Sequence, residues 1–403
     1  MDLKSGYPFW AIRNGLMHAF PRLEVDAECE VVVIGGGISG ALIADELARH
    51  GHQVIVVEQR DIGWGSTAAS TALLQYEIDT SLTDLAHKRG EASAVLAYRS
   101  CVEAIDGLRK LARSLGAVDF RMQDSLYLAS SRWHVRSLRA EHALRARHGL
   151  PVEWLEASAV RSRFGIDAPC AILSRVAASV DPYRMTYRLL GRVLRHRGRV
   201  LDRTTVQHID PHRRGVDVHT VDGPIIRAGQ VVMAAGYANQ QWLKQRVARN
   251  RSSYAFVSDP VQAGRLGFLA RTMIWETARP YLYMRSTGDG RVMVGGEDDS
   301  VDVPRLRDAR VDKKQRRLLE KFEQRIPGVG LVPAFAWGGT FAETSDGLPF
   351  FGSHEQYGNR VFFAMAYGGN GITYSQLGAG LLRALVERRK HPLAKLFSFE
   401  RMD

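Results

Sequence analysis

The chain has 403 residues, 45% hydrophobic and 24% charged, which is enough apolar material for a large core in two or three domains and excludes wholesale disorder. Three widely spaced cysteines, Cys29, Cys101 and Cys170, exclude a disulfide framework, match no zinc-ligand spacing and point to a reducing compartment. The net charge of +12 comes from arginines scattered in pieces such as 195–199, 313–317 and 387–390, without interleaved aromatic groups, so no specific nucleic-acid surface is expected.

Residues 1–29 read as an N-terminal extension without the apolar core of a secretory signal, and no stretch is apolar enough for a transmembrane span. The expectation is a cytoplasmic protein. A strand at 30–35, a glycine turn, a helix at 38–51 and a strand at 53–58 follow. Their continuous Val/Ile runs predict strands buried on both faces of a parallel sheet, and Ile38, Leu42, Ile43 and Leu47 share a helix face. Amphipathic helices are predicted at 85–115, 134–148 and 184–198. Short strands are predicted at 206–210, 215–221, 224–228, 230–236, 279–285 and 291–297, and a last helix at 372–389. The basic end of that helix could touch an anionic membrane surface, although a solvated amphipathic face is the commoner explanation of such a segment.

Gly35, Gly37 and Gly40 form GxGxxG between the first strand and its helix, with Ile38 and Ser39 opening that helix. A bare match would carry little; after a strand, before a helix, and with Glu58 closing the second strand, it marks a dinucleotide site. Gly35 permits the tight turn, Gly37 lets backbone approach a pyrophosphate, and Gly40 allows close helix–strand packing. The helix N-terminus offers unpaired N–H groups to phosphate, and Glu58 suits a ribose diol while repelling a 2′-phosphate. Beyond it, Gln59, Arg60, Gly65, Ser66, Thr67, Ser70 and Thr71 lie in a Gly/Ser/Thr-rich stretch in place of a regular crossover helix. Such a stretch suits a long cofactor, FAD, although each hydroxyl would serve equally as a turn or cap residue.

With these residues in place, the chain resembles the D-amino-acid-oxidase-like superfamily of FAD-dependent oxidoreductases, which includes glycine, sarcosine and amine oxidases. Four blocks carry the resemblance: VVVIGGGISGALIADELARHG with HQVIVVE, GSTAAST, VVMAAGYAN (231–239), and the tail from WGGTFAETSDGLPFFG to FAMAYGGNGITYS (337–375). The resemblance implies an α/β fold: a Rossmann-like FAD-binding domain (30–86, 176–250 and 336–403) and a discontinuous substrate domain (87–175 and 251–335) on an antiparallel or mixed sheet. It implies cofactor contacts at Val206, Ala235, Gly236, Gly339, Gly369, Asn370, Gly371 and Ile372. The helix beginning near Ile372 would favour negative charge on the reduced flavin pyrimidine. Covalent attachment in relatives uses a Cys near the tail or a His in the front block; with neither here, noncovalent FAD is expected.

The implied chemistry is oxidation of a small amine or amino acid by hydride transfer, with oxygen or another acceptor closing the cycle; it needs no charged protein base and no metal. His208 and His212 are separated by a turn-forming Asp-Pro and suit no metal. Tyr281, Tyr283 and Arg285 fall on one strand face, so Tyr283 and Arg285 are candidates to bind the substrate, as is Tyr367 before the glycine turn. One departure matters. Glycine-oxidase-like relatives place a carboxylate-clamping arginine where this chain has Phe341, which favours an amine with an apolar or distant anionic end unless Arg285 substitutes. Alternative readings are an FAD-dependent hydroxy-acid or polyol-phosphate dehydrogenase feeding a quinone, a flavin monooxygenase, and a non-catalytic FAD- or nucleic-acid-binding protein.

Overall fold

The Val/Ile runs flanking the glycine turn form the centre of a buried parallel sheet. In the computed structural model, which describes residues 2–6, 8–262, 264–300 and 302–402, strand Ala27–Ile34 pairs with Val54–Val57 on one side and Ile225–Met233 on the other. Val33 sits opposite both Val56 and Val232, and all three are inaccessible to solvent. Arg199–Leu201 extends the sheet beyond Val54–Val57, Val361–Met365 adds a parallel strand on the other side, and Phe350–Ser353, Val216–Thr220 and Val206–Pro211 join antiparallel. Helices Ile38–Arg49, Pro182–Arg195 and Gly371–Val386 pack over it. Two strands expected at 224–228 and 230–236 are one, because Gly229 lets the backbone pass Glu30 without a break: a Cβ there would lie 3.0 Å from the Glu30 carbonyl oxygen.

A second, nine-stranded sheet runs in the order Pro333–Glu343, Arg249–Ser258, Val292–Asp299, Leu282–Ser286, Thr272–Glu276, Arg121–Leu128, Cys170–Ser179 and Leu73–Gln75, with Val152–Glu156 pairing beside Cys170–Ser179. Its pairs are antiparallel except Thr272–Glu276 with Arg121–Leu128. Leu73–Gln75 and most of Pro333–Glu343 lie in blocks assigned from sequence to the FAD-binding domain, 30–86 and 336–403, and both pair in this sheet. The segment predicted as one helix at 85–115 is two, Leu82–Arg89 and Glu91–Leu115, divided at Gly90 with φ +81°.

The N-terminal extension is part of the core. Lys4 bridges to Gly339 at the sheet edge, helix Phe9–Asn14 follows, and Trp10 is fully buried with its indole N–H donating to the Ser70 carbonyl at 2.7 Å. None of the helices among the described residues is long and apolar enough to cross a membrane.

Candidate active site

Gly35 adopts φ +122°, and a Cβ there would lie 2.3 Å from the Ala234 carbonyl oxygen. Gly40 is tighter still: its Cβ would stand 1.9 Å from the Gly35 carbonyl, so the helix can sit on the turn only with glycine at this position. At Gly37 a Cβ would come within 3.0 Å of Thr67 Oγ1, which accepts the Ile38 N–H at 2.9 Å. Gly37 has no side chain to cap the helix, so beyond the Ile38 N–H held by Thr67 its first turn has no cap from this position, and Gly37, Ile38 and Ser39 line the cavity. Glu58, closing the second strand, accepts from the Gly36 N–H at 2.8 Å and the Arg60 N–H at 3.0 Å. Burial pushes its carboxyl upward, and those two N–H groups oppose the shift.

A cavity of about 300 Å³ runs from this turn to the second sheet. It is lined by Gly35, Gly37, Ile38, Ser39, Glu58, Gln59, Arg60, Gly65, Ser66, Thr67, Ser70 and Thr71 at the front, and by Val206, Ala235, Gly236 and Gly339 along its length. Gly369, Asn370, Gly371 and Ile372 close the far side, at the start of helix Gly371–Val386. Of the predicted cofactor residues only Gly40 stays behind the wall, in its packing role. Asn370 donates to the Glu77 carbonyl at 2.6 Å, and the Gly369 N–H donates to Asp79 at 2.6 Å, so the tail turn is clamped by the segment leaving Leu73–Gln75.

Two of the three predicted substrate residues line this cavity. Tyr283 faces it, with its hydroxyl 3.4 Å from Ser253 Oγ. Tyr367 also lines it, but its hydroxyl is spent on the Gly236 carbonyl at 3.1 Å. Arg285 is corrected: it lies outside the lining, 1% exposed, donating to the carbonyls of Thr71 (2.6 Å), Ser286 (3.1 Å) and Val180 (3.4 Å) beside the Trp10 ring. The physical reason is the N-terminal extension, whose Trp10 completes a buried nest for the guanidinium. Sequence reasoning missed Asp79, Tyr237, Trp275, Asp298 and Leu3, all in the wall. For Asp298 a signal existed, since it follows the glycine pair 295–296 at the end of strand Val292–Asp299. For Leu3 there was none.

The chamber beyond the tail turn is acidic and aromatic. Burial raises the hydroxyls of Tyr237 and Tyr281 and pushes that of Tyr283 up to about 12, so all three remain neutral hydrogen-bonding groups at ordinary pH. Asp298 is pushed up to about 6 by burial, with the Ser253 hydroxyl opposing and Asp79 adding to the shift. Glu77 is pushed up to about 7 by burial, opposed by Arg145, which is 3.7 Å away and donates to Glu141 at 2.7 Å.

The glycine turn and its helix, the acid closing the second strand and the tail turn line one continuous cavity. The family described as FAD dependent oxidoreductase (DAO) matches residues 30–385. The chain belongs to this family.

As a member, it is an enzyme that uses FAD. It is 25% identical over 378 residues to the glycine oxidase of Geobacillus kaustophilus strain HTA426, covering 90% of this chain and 93% of that one. It is 25% identical over 382 residues to the gamma-glutamylputrescine oxidoreductase of Escherichia coli K12, covering 91% and 85%. The L-proline dehydrogenase from P. horikoshii shares the fold at a TM-score of 0.77 and 20% identity, over 94% of this chain and 100% of that one. The cavity of this flavoenzyme fits the cofactor: Ser66 Oγ in its wall is sealed from solvent without a hydrogen-bond partner, and the glycines leave the backbone bare where a pyrophosphate needs it.

Proposed function

We propose that the enzyme oxidises a small amine or amino acid with noncovalently held FAD, and that oxygen or another acceptor restores the cofactor. The carrying observation is the single cavity joining the glycine turn and Glu58 to a chamber bearing Asp79, Asp298, Tyr281 and Tyr283. Bound FAD supplies a two-electron acceptor for the substrate C–H bond. Gly37, Ser39 and the first turn of helix Ile38–Arg49 hold the pyrophosphate, Glu58 the ribose, and the 369–372 turn the far end. The tyrosine wall excludes water, and its neutral hydroxyls orient a polar substrate without taking its proton. The lining contains neither cysteine nor histidine among the described residues, and Cys29, Cys101 and Cys170 are buried elsewhere, which supports noncovalent binding. A hydroxy acid or polyol phosphate fits less well, because its anion would face Asp79 and Asp298.

The test is the absorbance spectrum of the purified protein under anaerobic titration. Flavin bands bleached by an amine or amino acid, and not by hydroxy acids, are expected. Bleaching by hydroxy acids alone, or rapid bleaching by NADH or NADPH, would replace this reading with the dehydrogenase or the monooxygenase.

A further inference from the structure

The end of the cavity away from the glycine turn is acidic. Arg60 is the one basic residue among the described residues of the lining, and it belongs to the nucleotide end next to Glu58. At the other end stand Asp79 and Asp298. Asp298 Oδ1 is sealed from solvent and has no hydrogen-bond partner, and the Ser253 hydroxyl offsets the burial of this carboxyl only in part. Asp79 accepts from the Gly369 N–H and, at 3.3 Å, from the Tyr281 hydroxyl, and its charge is felt by Asp298. The other charges facing Asp298 are Glu343, which aggravates the clash, and Arg279, which weakly relieves it. Arg279 lies outside the cavity lining, exposed, stacked 4.6 Å over the Tyr281 ring and donating to the Asp79 backbone carbonyl, so it engages neither carboxylate by a hydrogen bond. Tyr281 and Tyr283 hold their rings 5.7 Å apart at 51°, a wall of π-faces beside two acids. Such a box attracts a cation by charge and ring quadrupole together. It repels a carboxylate, and the two arginines that might have reversed that are lost: Phe341 occupies one position, and Arg285 is bound to backbone carbonyls.

We infer that Asp298 and Asp79, with the rings of Tyr281 and Tyr283, form a subsite for an ammonium group remote from the reacting carbon, so that the substrate is a diamine and not an α-amino acid. The assignment rests on the amine reading above and narrows it. One amino group is oxidised while the other, kept charged, supplies the donor that Asp298 Oδ1 lacks.

The FAD-loaded enzyme is titrated anaerobically with straight-chain diamines, matched monoamines, matched ω-amino carboxylates and α-amino acids, and half-bleaching concentrations are compared. A diamine should bleach at least tenfold below its monoamine and amino-carboxylate counterparts. Asp298→Asn should raise the diamine value by roughly ten- to a hundredfold, the size of a lost charge-assisted hydrogen bond, and bring the diamine-to-monoamine ratio towards one. Asp298→Glu should keep the preference. Tyr281→Leu, which leaves both acids, should shrink the same ratio several-fold, and it decides the matter should Asp298→Asn lose FAD. Bleaching by α-amino acids below every diamine, or a diamine preference unchanged in these variants, overturns the subsite while the amine or amino-acid reading stands. Flavin bleached by no amine or amino acid removes that reading itself.

Discussion

Asp298 shows how one side chain can favour binding over folding. Its carboxyl moves from 3.8 to about 6, chiefly through burial, so the folded protein holds the proton more tightly than the unfolded chain does. Stability is therefore greatest below the unfolded value and is lost as pH rises from about 4 to about 6. Without substrate, thermal melts of Asp298→Asn should show a gain over the parent at about pH 7 that is absent near pH 4. An equal difference at both would mean the carboxyl titrates normally. The glycines of the turn belong to the same scale and were legible in the sequence, because their constraint is local: strand, turn and helix are contiguous. Asp298 carried only a local signal, the glycine pair before it, and its meeting with Asp79 was not legible, since nothing near either one announces the other.

At the scale of elements, the surprise is the N-terminal segment. The Thr340 N–H donates to the Leu3 carbonyl and the Ser5 N–H to the Gly338 carbonyl, each at 2.9 Å, which lays the extension along strand Pro333–Glu343 with Leu3 in the cavity wall. Trp10 then pins the Ser66–Thr71 stretch through the Ser70 carbonyl. Trp10→Ala should cost about 3–5 kcal/mol, as for other buried aromatics, and should release FAD faster on dilution. Urea unfolding and flavin fluorescence read the two effects. An unchanged midpoint would show that the extension is not part of the core. Sequence patterning found the strands around the glycine turn and the long helices but missed many strands of the second sheet, and it left this segment as an appendage because neither a single short helix nor an edge bridge has a periodic signal of its own.

Across the whole molecule, the cavity lies where two sheets meet: the parallel sheet supplies Gly35 and Glu58, and the second sheet supplies Tyr283 and Asp298. A ligand spanning both stabilises both. At a hundredfold excess over its dissociation constant, FAD should add about 2.7 kcal/mol, so the melting temperature should rise by several degrees and keep rising with added FAD. Calorimetry with and without added cofactor checks this; a melting temperature indifferent to FAD would deny the cofactor its bridging position.

What the sequence determined by itself is the dinucleotide unit from Glu30 to Glu58, the long Gly/Ser/Thr stretch after it and the glycine turn at 368–371. Each is a short-range constraint in which neighbouring residues must agree on one backbone path. Only the tertiary structure decided the rest: that Leu73–Gln75 and Pro333–Glu343 join the second sheet, that Arg285 turns to backbone carbonyls, and that Asp79 and Asp298 face one chamber. These outcomes depend on strand pairing and burial between segments far apart in the chain, where local propensity is silent and long-range packing selects the partner.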